Sequence, residues 1–306
     1  MKKRILILLM GLFCLASLQA QETKEDYLRR YNNLVDRVGP DGLGVETLLS
    51  KWEAAWPEDP NQMLARFSFC FSRCRTSRVV ELDRDRYLGQ PPLLPMTDSL
   101  GKKHNYFEVY EYDDDLFAEA NAAIGKAISA KPWRLDYRFA RIDALIAYEK
   151  EKPEMALQEL CALADKNYKE KPVWEFEGLD GVTQEQFKAF MQDYCAAIFR
   201  IGSDASALAF KTLSEHMLTY CKEDPLFLDN LGSYHLIRKE NKKALQYYDK
   251  VLKKHPGDMT ALRNCLLLAR TTKDRKLEKK YLQLMARNGE TEQDRASAQA
   301  RLDAYR

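Results

Sequence analysis

One spacing recurs in four separate stretches of the chain, and it restricts the possible folds more than any single residue does. Each copy closes on a proline, with apolar or small residues five, eight and twelve positions before it. The copies are Leu48/Trp52/Ala55/Pro60, Ala120/Ile124/Ala127/Pro132, Leu213/Met217/Tyr220/Pro225 and Ala244/Tyr248/Val251/Pro256. Steps of four and three place these side chains on one face of an α-helix, and proline cannot continue that helix. A unit repeated in this way predicts an all-α solenoid, in which each helix pair buries its apolar face against its neighbours.

The first twenty residues read as an address. Lys2, Lys3 and Arg4 precede an apolar run from Ile5 to Leu18, and Ala20 offers a cleavage point. The run is shorter than the roughly 18 to 20 residues that span a bilayer as a helix. Cleavage after Ala16 is the alternative boundary. Phe13, before Cys14, lacks the small side chain that a lipid-acceptor cysteine requires. The expectation is an exported chain, periplasmic or associated with the cell surface, with no transmembrane segment after processing. Losing three basic residues moves the formal charge from +2 to −1, with 45 Lys and Arg against 46 Asp and Glu. Such a balance implies no general attraction to nucleic acid or to an anionic membrane. Hydrophobic residues make up 45%, enough for a packed core, and the 31% that are charged suit the solvated faces of a thin helical array.

Six cysteines follow the signal: Cys70, Cys74, Cys161, Cys195, Cys221 and Cys265. An even count in an exported chain invites a disulfide framework. All six, however, fall within apolar helical stripes, and none has the CxxC spacing of redox or zinc motifs. Buried free thiols are expected.

The pattern assigns residues 1–20 to the signal, 21–290 to the repeat domain and 291–306 to a polar capping helix. Helices are expected from Thr23 to Val38, Val45 to Trp56 and Gln62 to about Ser77. Regularity then fails over residues 78–112. There Val79-Val80, a proline-rich stretch, a turn at Asp98 to Gly101 and the alternating run Tyr106 to Tyr112 predict an inserted hairpin or ordered loop. Residues 167–182 form a second irregular connector, after which Thr183 and Gln186 read as a capping box.

The stretch from Pro225 to Pro256 resembles a tetratricopeptide repeat. Leu228, Leu231-Gly232 and Tyr234/His235 occupy the first-helix positions of that pattern, and Ala244, Tyr248, Val251 and Pro256 those of the second. Gly232 and Ala244 are small where two helices cross, and Leu231 and Tyr248 fill the groove beside the crossing. Other units match less fully: after Met259, Glu278 replaces the small residue and no proline closes the unit. The resemblance covers five to six degenerate units from Thr23 to Asn288. It implies a right-handed superhelix whose first helices line a surface that binds proteins or peptides.

Nothing in the chain announces catalysis. The four histidines, at 104, 216, 235 and 255, lie far apart, and no G-x-S-x-G, P-loop or G-x-G-x-x-G occurs. His235 reads as a satisfied packing histidine, and Asp113 to Asp115 as the acidic start of a helix rather than a metal site. No cofactor and no metal is expected. The polar first-helix residues Arg141, Asn230, Arg263 and Asn264 are the candidate peptide-binding set, since arginine and asparagine suit carboxylates and peptide backbone. Asp229 stands where the lysine of a carboxylate clamp would be. The expected function is a non-catalytic scaffold for a protein or peptide in the cell envelope. One alternative is a small-molecule or glycan binder using Tyr106, Phe107, Tyr110 and Tyr112; another is an enzyme whose site carries no recognised motif.

Overall fold

The computed structural model describes residues 22–305, so the signal expected over residues 1–20 lies outside the described residues. Among these the chain is a succession of α-helices with one small sheet. It divides into two compact units. One comprises the chain up to Arg78 together with Tyr110–Arg141, and the other comprises Val79–Val109 together with the chain from Ile142 onward.

The first unit holds α1 (Lys24–Val38), α2 (Val45–Ala55), α3 (Pro60–Arg73) and α4 (Asp114–Ala130). Trp52 is fully buried at its centre, with the Tyr27 ring stacked on it at 6.0 Å and the Tyr31 ring tilted at 6.2 Å. The indole Nε1 donates to Asp59 Oδ2 at 3.0 Å, while Asp59 Oδ1 accepts from the Asn61 amide at 3.1 Å. A single buried carboxylate therefore satisfies the tryptophan and caps α3, with Pro60 in the first helical position. Ala120, Ile124 and Ala127 are fully buried along α4, as their spacing predicts. Although the insert separates them in sequence, α3 and α4 pack as a pair.

Strand β1 (Arg75–Glu81) begins immediately after α3, so that helix stops at Arg73 and not near Ser77. With β2 (Leu94–Thr97) and β3 (Lys103–Tyr112) it forms a three-stranded sheet in the order β1-β3-β2. Leu94 lies opposite Tyr106 and Met96 opposite His104 in the antiparallel β2–β3 ladder. The expected turn is present, tied by Asp98 Oδ1, which accepts from the amides of Leu100 at 2.8 Å and Lys102 at 2.9 Å. The third strand is the surprise. All but one residue of β1 are exposed, so no alternation of apolar and polar residues marked it.

Helix α5 (Leu135–Glu149) starts in the first unit and ends in the second. The second unit continues with α6 (Glu154–Glu170), α7 (Gln184–Ile201), α8 (Asp204–Tyr220) and α9 (Pro225–Ile237). It ends with α10 (Asn241–Lys254), α11 (Met259–Thr271), α12 (Arg275–Asn288) and α13 (Glu292–Asp303). Glu149 reaches forward to cap α6, accepting from the amides of Met155 at 2.6 Å and Ala156 at 2.9 Å. The Thr183/Gln186 capping box opens α7 as expected. The connector before it is not a bare surface link. Trp174 is 1% exposed, stacks on Phe187 at 6.5 Å and donates Nε1 to Asn167 Oδ1 at 3.0 Å.

The α9–α10 pair has the tetratricopeptide-like packing that its residues imply. Gly232 lies so close to Tyr248 that a Cβ there would stand 2.4 Å from the ring, and Leu231, Ala244 and Tyr248 are buried beside it. Where the repeat pattern loses its small residue, Glu278 does different work. It accepts from Arg270 Nε at 3.3 Å and also bonds Arg301 and Tyr305, tying the final helix down. The six thiols stand unpaired, four of them buried. Burial pushes Cys195 and Cys265 up to about 12 and Cys74 and Cys161 up to about 11, so these sulfurs are inert packing groups at neutral pH.

Candidate partner-binding surface

The polar side chains of α9, α10 and α11 meet where the two first helices, α9 and α11, pack against each other. Asp229 and Ser233 come from α9, one helical turn apart. Ser233 Oγ lies 3.2 Å from the Tyr248 hydroxyl, and the half-buried Asn264 of α11 stands beside the same hydroxyl. Asp258, the residue before α11, accepts from the Ala261 amide at 2.9 Å and also bonds Asp229.

Asp229 is the unusual member. It is 5% exposed, and its Oδ1 has no hydrogen-bond partner among the described residues. Burial raises its pKa to about 8, and the neighbouring Asp258 charge and hydrogen bond push the same way. Two adjacent carboxyls cannot both ionise at low cost, so at neutral pH Asp229 holds the proton that the pair shares.

The four residues expected to bind peptide do not form one set. Asn230 is buried on α9 and its amide is committed: it donates to Gln192 Oε1 at 2.8 Å and Ser214 Oγ at 3.1 Å, and accepts from Gln192 Nε2 at 3.0 Å. It joins α7, α8 and α9. Asn264 belongs to the polar cluster. Arg263 beside it is exposed, its guanidinium 3.4 Å from Asp294 Oδ1 at the start of α13. Arg141 belongs to the first unit, where its Nε donates to Asn121 Oδ1 at 2.9 Å. The aromatic run of the insert is divided as well. Phe107 is buried against Tyr87, and Tyr112 stacks on Phe71 at 6.2 Å.

In the sequence Asp229 stands out only as an acid where the resemblance places a lysine. The available signal was a lone acid in an apolar helix, Pro225 to Ile237, with no basic residue one turn away to pair with it. Among the described residues no group of three or more His, Cys, Asp or Glu side chains is placed to hold a metal, and no helix is long and apolar enough to cross a membrane.

No protein-family model matches the chain, and no curated protein matches it. Among solved structures it is similar to one titled "Functional Characterization of Pseudomonas Aeruginosa pilF", with 13% identity. The match covers 90% of this chain and 96% of that one, with a TM-score of 0.36. The helical-repeat architecture rests on the packing described above and not on this likeness.

Proposed function

We propose that the chain is a non-catalytic scaffold of tetratricopeptide type that holds a protein or peptide segment in the cell envelope. The observation that carries this reading is the polar cluster on two successive first helices, with Asn264 and the exposed Arg263 side by side on α11. Arg263 supplies a charge-assisted fork for a carboxylate, and the half-buried Asn264 beside it offers both donor and acceptor. These groups suit a peptide backbone and an acidic side chain or terminus.

Crosslinking in native envelope, followed by capture of the full chain, identifies the segment. Arg263→Ala is then expected to weaken its binding roughly tenfold, the loss of one charge-assisted contact. Folding should be unaffected, because Arg263 is itself exposed and its contact with Asp294 is long, at 3.4 Å, so the pair contributes little. Unchanged affinity would reduce Arg263 to a solvated surface residue, and turnover of the captured segment would replace the scaffold reading with a catalytic one.

A further inference from the structure

The near-neutral total conceals a strongly one-sided segment. Residues 238–287 contain fifteen Lys and Arg against five Asp and Glu. On α10, Lys243, Tyr247, Lys250 and Lys253 follow steps of four, three and three, so all four share one face of the helix. At 1.5 Å per residue the three ammonium groups are set along about 15 Å of the helix axis. Together with Gln246, His235 and one carboxylate, Asp249, they line a cleft of about 580 Å³.

The acids facing this cleft leave most of its charge uncompensated. Glu240 bonds His235 Nδ1 at 2.6 Å and Lys243 Nζ at 3.1 Å. Asp249 accepts from Lys280 Nζ at 2.9 Å and the Tyr281 hydroxyl at 3.0 Å. Glu223 bonds Lys254 at 2.5 Å and is the carboxylate that feels Lys250 and Lys253. Lys250 and Lys253 themselves have no salt bridge among the described residues; the Lys250 ammonium lies 5.5 Å from the Tyr247 ring centre.

Three kinds of polyanion fit a lysine row poorly when it has this surround. Among the described residues no aliphatic side chain lines the cleft itself, so an acidic protein finds no apolar anchor in it and a bilayer finds nothing to take up. The rings lining the cleft, Tyr247 and His235, pack on each other at 5.5 Å, which gives no row of aromatic platforms for successive nucleic-acid bases. What remains is a polymer recognised by regularly placed charges and by hydroxyls. We propose that this cleft binds an acidic polysaccharide. Lys243, Lys250 and Lys253 contact its carboxylates or sulfates, Gln246 hydrogen-bonds a hydroxyl, and the His235–Tyr247 stack holds Lys250 in place.

The test uses the full chain on immobilised polygalacturonate, with neutral dextran as the control surface. Retention on polygalacturonate alone, weakening as salt rises, is expected. The Lys250→Gln/Lys253→Gln variant should bind roughly tenfold more weakly or worse, with unchanged melting because both side chains are exposed. Gln246→Ala should weaken binding without altering its salt dependence, which a purely electrostatic patch would not show. The proposal fails if the double variant binds as the wild type does. It fails equally if polyglutamate, an oligodeoxythymidylate or anionic vesicles compete as well as polygalacturonate. Peptide capture at Arg263 is read separately, so either site can fail alone.

Discussion

As pH rises from about 4 to about 8, the wild-type chain loses a few kcal/mol of stability, and the Asp229→Asn variant does not. The ordinary value for this carboxyl is 3.8, and the fold raises it to about 8. Between those values the unfolded chain has released the proton while the folded chain keeps it, so stability falls with each step in pH. Below the lower value both states are protonated and the full contribution is present; above the upper value it is gone. Asparagine donates the same hydrogen bond to Asp258 and does not titrate. Its urea-denaturation midpoint should therefore stay level across this window and exceed the wild-type midpoint at the alkaline end. Parallel curves for the two proteins would show that Asp229 is solvated and the pair unlinked.

Gly232→Leu is expected to destabilise the second unit by about 1–3 kcal/mol, the usual penalty for overpacking. The neighbour in the way is the ring of Tyr248, which is fully buried and bonded through its hydroxyl to Ser233, so it has nowhere to go. Gly125 in α4 provides the opposite control. A Cβ there meets nothing within 4 Å, and Gly125→Ala should raise stability by up to about 1 kcal/mol through helix propensity alone. A lower midpoint for the first variant and a higher one for the second, at constant m, is the expected pair. Equal midpoints would mean that Gly232 does not mark a helix crossing.

Residue size and spacing made the helix pairs legible. A glycine and an alanine opposite a tyrosine have one economical arrangement, and the proline-terminated stripes of α2, α4, α8 and α10 fall on buried faces. The polar positions were harder, for a geometric reason. Asn230 and Asn264 both lie off the main apolar stripe of their helices, yet one is committed to α7 and α8 and the other is half-buried beside the Tyr248 hydroxyl. In a stack every helix has two flanking neighbours, so leaving the stripe is not the same as facing solvent. The lysine row on α10 was hidden differently, by a charge total in which acidic residues elsewhere cancel it. β1 lacked any burial pattern at all.

The α3–α4 pair has a consequence for the order in which the chain folds. Most consecutive helices are joined by a few residues, as α9 and α10 are through Arg238–Glu240, whereas α3 and α4 are brought together only after the whole insert has been looped out. Closing on the order of 40 residues instead of a few adds about 2 kcal/mol of chain entropy to that encounter. Contacts of low sequence separation form first, so the C-terminal hairpins should gain protection from amide exchange early in refolding and α3 and α4 late. Pulse-labelling of the refolding chain would show this as a lag confined to α3 and α4, and simultaneous protection of all helices would rule it out. Under synthesis from the N-terminus the same topology has a second effect: α3 emerges well before its partner and must keep Phe67, Phe69 and Cys70 out of other company until α4 arrives.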